Sequence, residues 1–448
     1  MESIWTKETK IRERAHLPGD LETEVVVIGA GLTGILTAYY LQQAGVKTVV
    51  LEADRIGSGQ TKNTTGKITS QHNLCYDWIM YRMLKRKAFA YAWAHEDAIK
   101  EYERLITEKG IECDFVKCPS YLYALDKTKP LWREEMAAAE VGIDATYVTE
   151  CELPFPITGA LRFDDQAQFH PLKFLAAMAE EVTVYEKTRA LTVEENRVET
   201  DRGCVSAKYV VFACHFPFVN VPGYYFARVF QERSYVLALE GAEPLKGMYQ
   251  GIGRDKLFIR SYGNLLLVSG AGHRTGANKR GGHYEKLRRQ VQELFPDCRE
   301  VAHWSAQDCM TLDGVPYIGQ YSEKRPTWYV ATGFGKWGMT TAMASAQIIT
   351  ARITKQKIPI AYAFYPHREY HTDRADRVLL HAFYSIRGFA KRLLPSGNKE
   401  IVPTCPHMGC RLEWNPEEQT YDCPCHGSRF DKEGHLMEGP AQKDCRRR

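Results

Sequence analysis

Cysteine and histidine recur at metal-ligand spacing in two short segments near the end of the chain. The first segment has the pattern C-x-H, and the second, after fifteen intervening residues, has the pattern C-x-x-H. One thiolate and one imidazole from each of two loops suit a [2Fe–2S] cluster in which two cysteines hold one iron and two histidines hold the other. The predicted iron ligands are Cys405, His407, Cys423 and His426.

A zinc site is the alternative interpretation of these residues. Zinc ribbons more often pair two C-x-x-C knuckles, which this segment does not have. The segment instead resembles the two cluster-binding loops of Rieske [2Fe–2S] proteins. This resemblance implies that Cys410 and Cys425 lie close together, with a disulfide between the loops as one outcome, and that Ser428 donates a hydrogen bond toward the cluster.

The cluster segment is short for a module of this family, since few residues precede Cys405. About 50 residues bury little core, so we expect folding to depend on the cluster or on docking against the rest of the chain. Cys445 and the final three arginines are expected to form a disordered tail. The basic amphipathic segment 378–394 is expected to be a helix packed on the body, with peripheral membrane contact as the less favoured alternative.

A second candidate site lies at the front of the chain. Gly29, Gly31 and Gly34 form the pattern G-x-G-x-x-G directly after the apolar run 24–28, and a helical segment follows. The next apolar run closes on Glu52, whose carboxylate can accept ribose hydroxyls. Glycine allows the tight turn and the close approach of a pyrophosphate to the helix N-terminus, so a dinucleotide site is predicted.

The residues after Glu52 favour FAD over a nicotinamide cofactor. Residues 53–67 form a small, polar, glycine-spaced stretch that resembles the flavin-lining segment of the D-amino-acid oxidase and glycine oxidase superfamily. The segments 311–319 and 328–340 resemble the late flavin-contacting stretches of the same superfamily. The resemblance implies that the remaining cofactor-binding residues are Arg55, Ser58, Gly59, Thr64, Thr65, Gly66, Lys67, Ala190, Ala213, Gly314, Gly333, Gly335 and Lys336.

The middle of the chain carries weaker signals. Residues 83–110 read as a helix, and residues 257–269 read as a β-hairpin. Relatives bind substrate between the two domains, against the flavin. Candidates for catalysis in that pocket are His170, Tyr235, Trp304, Lys336 and Trp337, with Lys67 as a further lining residue. No Arg and Tyr pair matches the carboxylate clamp of the amino-acid oxidases.

Together these features predict an α/β fold. We expect a Rossmann-like FAD-binding domain with an inserted α+β substrate domain, followed by a small β-rich Rieske cluster module. The predicted division is 20–75, 155–225 and 300–360 for the FAD-binding domain, 76–154 and 226–299 for the substrate domain, 361–398 for a helical linker and 399–448 for the Rieske module.

Composition excludes several other classes. The chain has 448 residues, of which 44% are hydrophobic and 25% charged, as in ordinary globular proteins. A net charge of +4 is too weak to indicate nucleic-acid binding. There is no apolar run long enough for a transmembrane segment and no signal peptide is expected, so a cytoplasmic location is predicted. Most of the 13 cysteines are then expected to be reduced.

The favoured function is a flavin-dependent dehydrogenase. It would oxidise a small organic substrate at FAD and pass electrons singly through the Rieske cluster to an unknown electron-transfer partner. One alternative is an oxidase that returns electrons to oxygen and uses the cluster only structurally. The other is a non-enzymatic iron-sulfur redox sensor.

Overall fold

The computed structural model describes residues 2–253, 256–368, 375–393 and 404–445. The helices in this part of the chain are α1 (Ile4–Glu8), α2 (Leu32–Gln43), α3 (Tyr76–Arg82), α4 (Lys85–Lys109), α5 (Lys129–Glu140), α6 (Pro171–Ala179), α7 (His283–Leu294), α8 (Gly338–Ile353) and α9 (Ala375–Leu393). Short 3₁₀ turns span Gln60–Asn63, Tyr225–Ala227 and Pro359–Phe364.

The first large sheet is the nucleotide-binding layer. Its strands are β1 (Leu21–Ile28), β2 (Thr48–Leu51), β9 (Val184–Tyr185), β10 (Ala190–Glu194), β11 (Arg197–Thr200), β12 (Gly203–Phe212), β18 (Tyr317–Ser322) and β19 (Arg325–Thr332). β1 lies between β2 and β12 and is parallel to both. Val25 and Val27 pack into one core, while Val26 and Ile28 pack into another on the opposite face. Burial on both faces explains the continuous apolar run predicted to be a strand.

The second large sheet is mostly antiparallel. It contains β5 (Ser120–Ala124), β6 (Ala145–Val148), β7 (Gly159–Phe163), β13 (Val229–Glu240), β14 (Met248–Gly251), β15 (Phe258–Tyr262), β16 (Leu265–Arg274) and β17 (Arg299–Thr311). The predicted hairpin is confirmed as β15 and β16, which pair in antiparallel register. A separate three-stranded sheet joins β3 (Lys67–Ile68), β8 (Ala167–Gln168) and β4 (Val116–Lys117).

The predicted domain ranges do not coincide with the two large sheets. β7 and β17 fall in the ranges assigned to the FAD-binding domain, yet both pair within the second sheet. β17 pairs with β13 along almost its whole length, from Arg299 to Thr311. The sequence could not show this, because strand pairing across the chain leaves no mark in local composition, and the domain division stays a prediction.

The C-terminal module is a small antiparallel sheet in the order β20 (Glu413–Asn415), β21 (Thr420–Asp422), β22 (Arg429–Phe430) and β23 (Leu436–Glu438). Its core includes Cys445, which is buried and whose Sγ contacts the Gly434 carbonyl oxygen at 3.4 Å. The prediction that Cys445 belongs to a disordered tail is therefore wrong, because its thiol fills this core. The three arginines of that predicted tail, residues 446–448, lie outside the described residues.

Helix α9 covers most of the segment 378–394, which the sequence predicts to be a helix. Residues 369–374 and 394–398 of the predicted linker lie outside the described residues. His381 is buried and its Nδ1 accepts a hydrogen bond from Nη2 of Arg274 at 2.8 Å. Leu379, Phe383 and Ile386 are exposed. No helix among the described residues is both long and apolar enough to cross a membrane.

Candidate cofactor sites and the contact between them

The glycine turn after β1 can only be built from glycines at two positions. Gly29 has a φ of +108°, and a Cβ there would lie 2.6 Å from the carbonyl oxygen of Ala213. A Cβ on Gly34 would lie 1.8 Å from the carbonyl oxygen of Gly29. Helix α2 begins directly after Gly31. The turn therefore leaves the helix N-terminus open to a pyrophosphate, as a dinucleotide site requires.

Glu52 lies at the end of β2, where the ribose of a dinucleotide is expected. Its carboxylate accepts backbone hydrogen bonds from Ala30 at 2.8 Å and from Asp54 at 2.9 Å. Burial raises the pKa of this carboxyl group, while the two backbone donors oppose that shift. The side chain is thereby held beside the glycine turn with its oxygens in place for hydroxyl donors.

Two buried tryptophans hold the flavin-lining segment by its backbone. The indole N–H of Trp5 donates to the carbonyl oxygen of Thr64 at 2.7 Å, and that of Trp304 donates to Asn63 at 3.0 Å. Thr61 is fixed from the other side, since its hydroxyl accepts from the backbone of Leu32 at 3.1 Å. Trp304 thus has a positioning role here, and Trp5 was not singled out by any sequence pattern.

Four side chains converge around the ammonium group of Lys67 and the ring of Trp337. The Lys67 ammonium lies 4.6 Å from the ring centroid of Phe258 and 5.4 Å from that of Trp337. Trp337 also stacks on His72, with centroids 4.8 Å apart and ring planes at 14°. Of these four, the sequence singled out Lys67 and Trp337. His72 and Phe258 carry no motif and enter the site only through the fold.

Lys336 is held in an ion pair. Its ammonium lies 2.8 Å from Oδ2 of Asp308 and donates to the Ser234 hydroxyl at 2.5 Å. Burial opposes the charged form, but Asp308 and Glu232 outweigh it and raise the pKa of Lys336. The neighbouring turn needs glycine, because Gly333 has a φ of +75° and a Cβ there would meet a Thr311 methyl at 2.2 Å. Because Asp308 and Glu232 raise its pKa, Lys336 is a charged group at this turn.

Two predicted catalytic residues have other roles. Tyr235 lies on the face of β13 that packs against α7, in a core distinct from the one containing its neighbour Val236. The alternation of side chains along a strand therefore directs Tyr235 away from the flavin-facing side. His170 caps helix α6, since its Nδ1 accepts the backbone N–H of Lys173 at 3.2 Å. Both residues therefore have structural contacts, and a catalytic role for either of them stays a prediction.

The remaining predicted flavin residues lie in turns or at strand ends, namely Ser58, Gly59, Thr65, Gly66, Ala190, Ala213, Gly314 and Gly335. Arg55 pairs with Glu186 at 3.0 Å and also with Glu13 of the N-terminal segment. A cofactor contact of Arg55 stays a prediction beside this pairing.

The four predicted iron ligands converge in the C-terminal module. The thiols of Cys405 and Cys423 are buried and share a hydrogen bond. The rings of His407 and His426 lie with centroids 4.8 Å apart at 89°. Nδ1 of each histidine is buried and has no hydrogen-bond partner among the described residues. Two thiols and two unpartnered imidazole nitrogens fit the donor set of a Rieske cluster.

A disulfide braces the two cluster loops. Cys410 and Cys425 are bonded, with Cα atoms 6.7 Å apart, which confirms that the predicted pair lies close together. Helix α9 packs directly on this disulfide, because a Cβ on Gly388 would lie 2.3 Å from Sγ of Cys425. Ser428 lies beside the cluster ligands, where its side chain hydrogen-bonds to that of Cys405 and accepts from the backbone of Ala441 at 3.0 Å.

The histidine edge of the cluster module faces the flavin-binding part of the chain. Nε2 of His407 lies 2.8 Å from Oδ1 of Asn220, in the loop after β12. The ring of Phe216 packs edge-on against both ligands, with its centroid 6.4 Å from that of His407 and 6.2 Å from that of His426. Phe226 approaches His426 at 5.9 Å. Both imidazoles are therefore enclosed by the loop 214–226.

Two buried glutamines clamp the second cluster loop. The Gln231 amide donates to the carbonyl oxygen of His426 at 2.7 Å, and the Gln307 amide donates to Gly427 at 2.9 Å. The backbone N–H of Gln307 in turn donates to Oε1 of Gln60 at 2.7 Å, in the flavin-lining segment. A continuous chain of hydrogen bonds therefore joins the cluster loop to the flavin-lining segment.

Acidic side chains of the module anchor it to the second sheet. Glu418 lies 2.8 Å from Arg233, and both side chains are almost fully buried. Glu417 accepts backbone hydrogen bonds from His283 at 3.2 Å and from Tyr284 at 2.6 Å, at the N-terminus of α7. A carboxylate at this helix end is favoured by the helix dipole. The contact is thus built from buried polar groups.

Comparison with known proteins agrees with this geometry. Residues 24–352 match the family model described as FAD dependent oxidoreductase, and residues 400–447 match the Rieske [2Fe-2S] domain. A Bacillus subtilis protein named as a Rieske 2Fe-2S iron-sulfur protein, YhfW, is 32% identical over 99% of this chain and 96% of its own length.

Separate relatives match the two parts. The cytochrome b6-f complex iron-sulfur subunit 2 of Trichormus variabilis is 51% identical over 10% of this chain and 24% of its own length. Glycine oxidase from Geobacillus kaustophilus shares the fold at 18% identity, with a TM-score of 0.68 over 78% of this chain and 100% of its own. The chain therefore belongs to the FAD-dependent oxidoreductase family and is an oxidoreductase that carries FAD and, in a C-terminal Rieske domain, a [2Fe–2S] cluster.

Proposed function

We propose that this oxidoreductase is a dehydrogenase that oxidises a small organic substrate at FAD and passes the electrons singly through its Rieske cluster. The observation that carries the proposal is the burial of both histidine ligands against the flavin-binding part of the chain. His407 contacts Asn220 at 2.8 Å, and Phe216 and Phe226 cover the rings. A histidine edge covered in this way favours electron exchange within the chain.

The hydrogen-bonded connection between the two sites also supports electron exchange within the chain. Gln307 contacts both Gly427, beside a cluster ligand, and Gln60, in the flavin-lining segment. FAD supplies two-electron chemistry toward an organic substrate and one-electron chemistry toward a cluster, so the two cofactors complement each other. The chain's own residues contribute by holding the two sites in a fixed relation.

The anchors of the module favour a fixed arrangement over a swinging one. Arg233 and Glu418 form a buried ion pair, and removing one partner of such a pair is costly. Glu417 and Asn278 add a second polar contact at 2.9 Å. We therefore expect the cluster to exchange electrons with the flavin site while the module stays bound to the second sheet.

We propose a cytoplasmic location and an external electron-transfer partner of unknown identity. The free thiols among the described residues, including buried Cys113, Cys118 and Cys309, fit a reducing compartment. The disulfide is enclosed, since both Cys410 and Cys425 are buried. The weak net charge of +4 gives no support for a nucleic-acid partner.

Anaerobic reduction tests the relay. Protein purified with both cofactors is mixed with a panel of amino, imino and hydroxy acids and amines while flavin absorbance is followed, and the cluster is then examined by electron paramagnetic resonance. We expect any substrate that bleaches the flavin to produce the signal of the reduced cluster. A bleached flavin beside a fully loaded cluster that stays oxidised contradicts the proposal.

Matched histidine variants separate this function from the alternatives. His426→Ala removes an iron ligand, whereas His435→Ala changes an exposed histidine of the same module that bonds to Asp431. If the protein is a dehydrogenase of this kind, His426→Ala loses turnover with an artificial one-electron acceptor and His435→Ala does not. Stoichiometric peroxide that is equal in both variants identifies an oxidase instead, and absence of turnover with every donor favours a redox sensor.

A further inference from the structure

Six large apolar side chains are exposed where helices α3, α4 and α5 meet. They are Tyr81, Leu84, Phe89, Trp93, Trp132 and Met136, which we call the apolar patch. About half or more of the surface of each residue is open to solvent. Single exposed apolar residues need no explanation, but several in one place indicate a binding surface.

Contacts between the three helices join these residues into one surface. The guanidinium of Arg133 on α5 lies 5.6 Å from the ring centroid of Tyr81 near the end of α3. Lys85, the first residue of α4, pairs with Glu140, the last residue of α5, at 2.6 Å. Helix α3 also packs against both α4 and α5. The apolar patch is therefore continuous from one helix to the next.

Two of the helices present their part of the patch on one side. Phe89 and Trp93 are one turn apart on α4, and so lie on the same side of that helix. Trp132 and Met136 have the same spacing on α5. Tyr91, on the opposite side of α4, is buried. The exposed rings thus form the outer face of a helix whose inner face is packed.

The corner between α3 and α4 holds Leu84 outward in an unfavourable backbone conformation. Its φ is +139°, which residues with a side chain rarely adopt, and the residue is 66% exposed. Strained conformations of this kind are costly and are concentrated at functional sites. Since an exposed leucine contributes little to the core, contact with a partner explains this corner better than the fold does.

The same corner is basic. Residues 78–95 contain no acidic side chain and four basic ones, which are Arg82, Lys85, Arg86 and Lys87. The first three are exposed. We call these four residues the basic corner. Positive charge beside exposed aromatic rings complements anionic headgroups beside hydrocarbon, which is the chemistry of a bilayer interface.

The charge of this surface disfavours a second copy of the chain as its occupant. Asp77 offsets Arg133, and Glu140 offsets Lys85, so the other cations of the basic corner leave an excess of positive charge. In a two-fold contact each patch meets itself, which brings these like charges together and opposes association. A bilayer with anionic headgroups supplies the opposite charge instead.

We propose that the apolar patch and the basic corner bind the surface of a membrane that contains anionic phospholipids. Leu84 and the exposed rings enter the boundary between headgroups and acyl chains, and Arg82 and Arg86 contact phosphates. Within the described ranges no helix is long and apolar enough to span the bilayer, so the contact is peripheral. Binding requires neither substrate nor electron transfer, and its test is therefore independent of the proposed reaction.

Sedimentation with lipid vesicles tests the proposal on the intact protein with both cofactors bound. Vesicles of phosphatidylcholine alone are compared with vesicles that contain about 30% phosphatidylglycerol, at low and at high salt. We expect binding to the anionic vesicles that weakens at high salt, because salt screens the phosphates. No binding to the anionic vesicles, or equal binding to both kinds, overturns the proposal.

Variants assign the binding to the two parts of the surface. Leu84→Ser is expected to weaken binding at least about tenfold, because the side chain no longer moves hydrocarbon out of water. Arg82→Gln combined with Arg86→Gln is expected to weaken binding about thirtyfold at low salt, at roughly 1 kcal/mol for each charge near an anionic surface.

Matched controls change residues of the same types elsewhere on the protein. Met437→Ser removes an apolar side chain that is 54% exposed on the cluster module. Arg202→Gln combined with Lys324→Gln removes two exposed cations next to strands of the first large sheet. Both controls should stay within about twofold of the wild-type affinity. Losses as large as those of the patch variants overturn the proposal.

Quenching of tryptophan fluorescence by brominated lipids locates the contact. Trp93 and Trp132 are 53% and 51% exposed, whereas α9, which has an exposed apolar side chain in Phe383, carries no tryptophan. We expect quenching in the wild type and its loss in Trp93→Phe combined with Trp132→Phe, with binding retained. Binding without quenching, or self-association that Leu84→Ser abolishes in place of vesicle binding, overturns the proposal.

Discussion

The contact between the cluster module and the second sheet depends strongly on one buried carboxylate. Glu418 lies between Arg233, at 2.8 Å, and Arg429 of its own module. Glu418→Gln leaves Arg233 with Glu438, at 3.6 Å, as its one carboxylate partner within the described ranges, while Arg429 keeps Asp422 at 3.1 Å. We therefore predict that this substitution weakens the docked state mainly through an undercompensated Arg233.

The pKa of Glu418 gives the magnitude of the expected loss of stability. Burial alone would raise it, but the two guanidinium groups outweigh burial and lower it from 4.5 to about 2. A difference of about 2.5 units corresponds to about 3 kcal/mol of stability at neutral pH, at roughly 1.4 kcal/mol per unit. The same size, about 3–5 kcal/mol, is typical for breaking a buried ion pair by removing one partner.

The sign of the pH dependence follows from the lowered pKa. The stabilisation is fully present above the unfolded pKa of about 4.5 and is lost as the pH falls through the folded value of about 2. At pH 3.5 the contribution of Glu418 should have fallen to about 2 kcal/mol. The difference in the free energy of unfolding between wild type and Glu418→Gln must therefore become smaller as the pH falls.

Urea unfolding followed by the visible circular dichroism of the cluster measures the effect at pH 7 and pH 3.5. The control is Glu413→Gln, which removes the pair of Glu413 with the half-exposed Lys279 at 2.8 Å. That pair should contribute less than about 1 kcal/mol. Equal losses in the two variants, or a Glu418→Gln difference that does not shrink at low pH, would refute the reasoning.

Three further variants test other parts of the structure. Gly34→Ala places a Cβ 1.8 Å from the carbonyl oxygen of the first glycine in the turn. The flavin content of the purified protein should therefore fall below about a tenth of the wild-type value, while the iron content is kept. A normal flavin content contradicts this expectation. Gly427→Ala places a Cβ 2.7 Å from the Cβ of Gln231. This variant should slow the reduction of the cluster, measured by stopped-flow absorbance, without slowing the reduction of the flavin. Parallel changes in both rates contradict the docked arrangement of the module. Replacing Cys410 and Cys425 together by serine opens a 15-residue loop. This should lower the free energy of unfolding, measured with urea, by about 3 kcal/mol. An unchanged midpoint of unfolding contradicts this expectation.

The cofactor sites could be predicted because their chemistry fixes local spacing. The four iron ligands fall in two short loops, and the glycine turn with Glu52 lies within one strand–helix–strand unit. Each set therefore leaves a recognisable pattern in a few consecutive residues. The same holds for Cys410 and Cys425, which belong to those loops.

The contact between the sites could not be predicted in the same way. Asn220, Gln231 and Gln307 lie in three separate segments and meet the module only through the fold. The face of β13 on which Tyr235 lies is decided by strand pairing, and no local signal in the sequence reports it. Phe258 and His72 likewise stand outside any motif.

The central claim is that electrons pass from the flavin site to the cluster inside one chain. Stopped-flow absorbance under anaerobic conditions, at protein concentrations that span tenfold, measures the rate of cluster reduction after the flavin is reduced by substrate. The docked arrangement predicts a first-order rate that does not depend on protein concentration. A rate proportional to concentration, or a loaded cluster that remains oxidised, contradicts it.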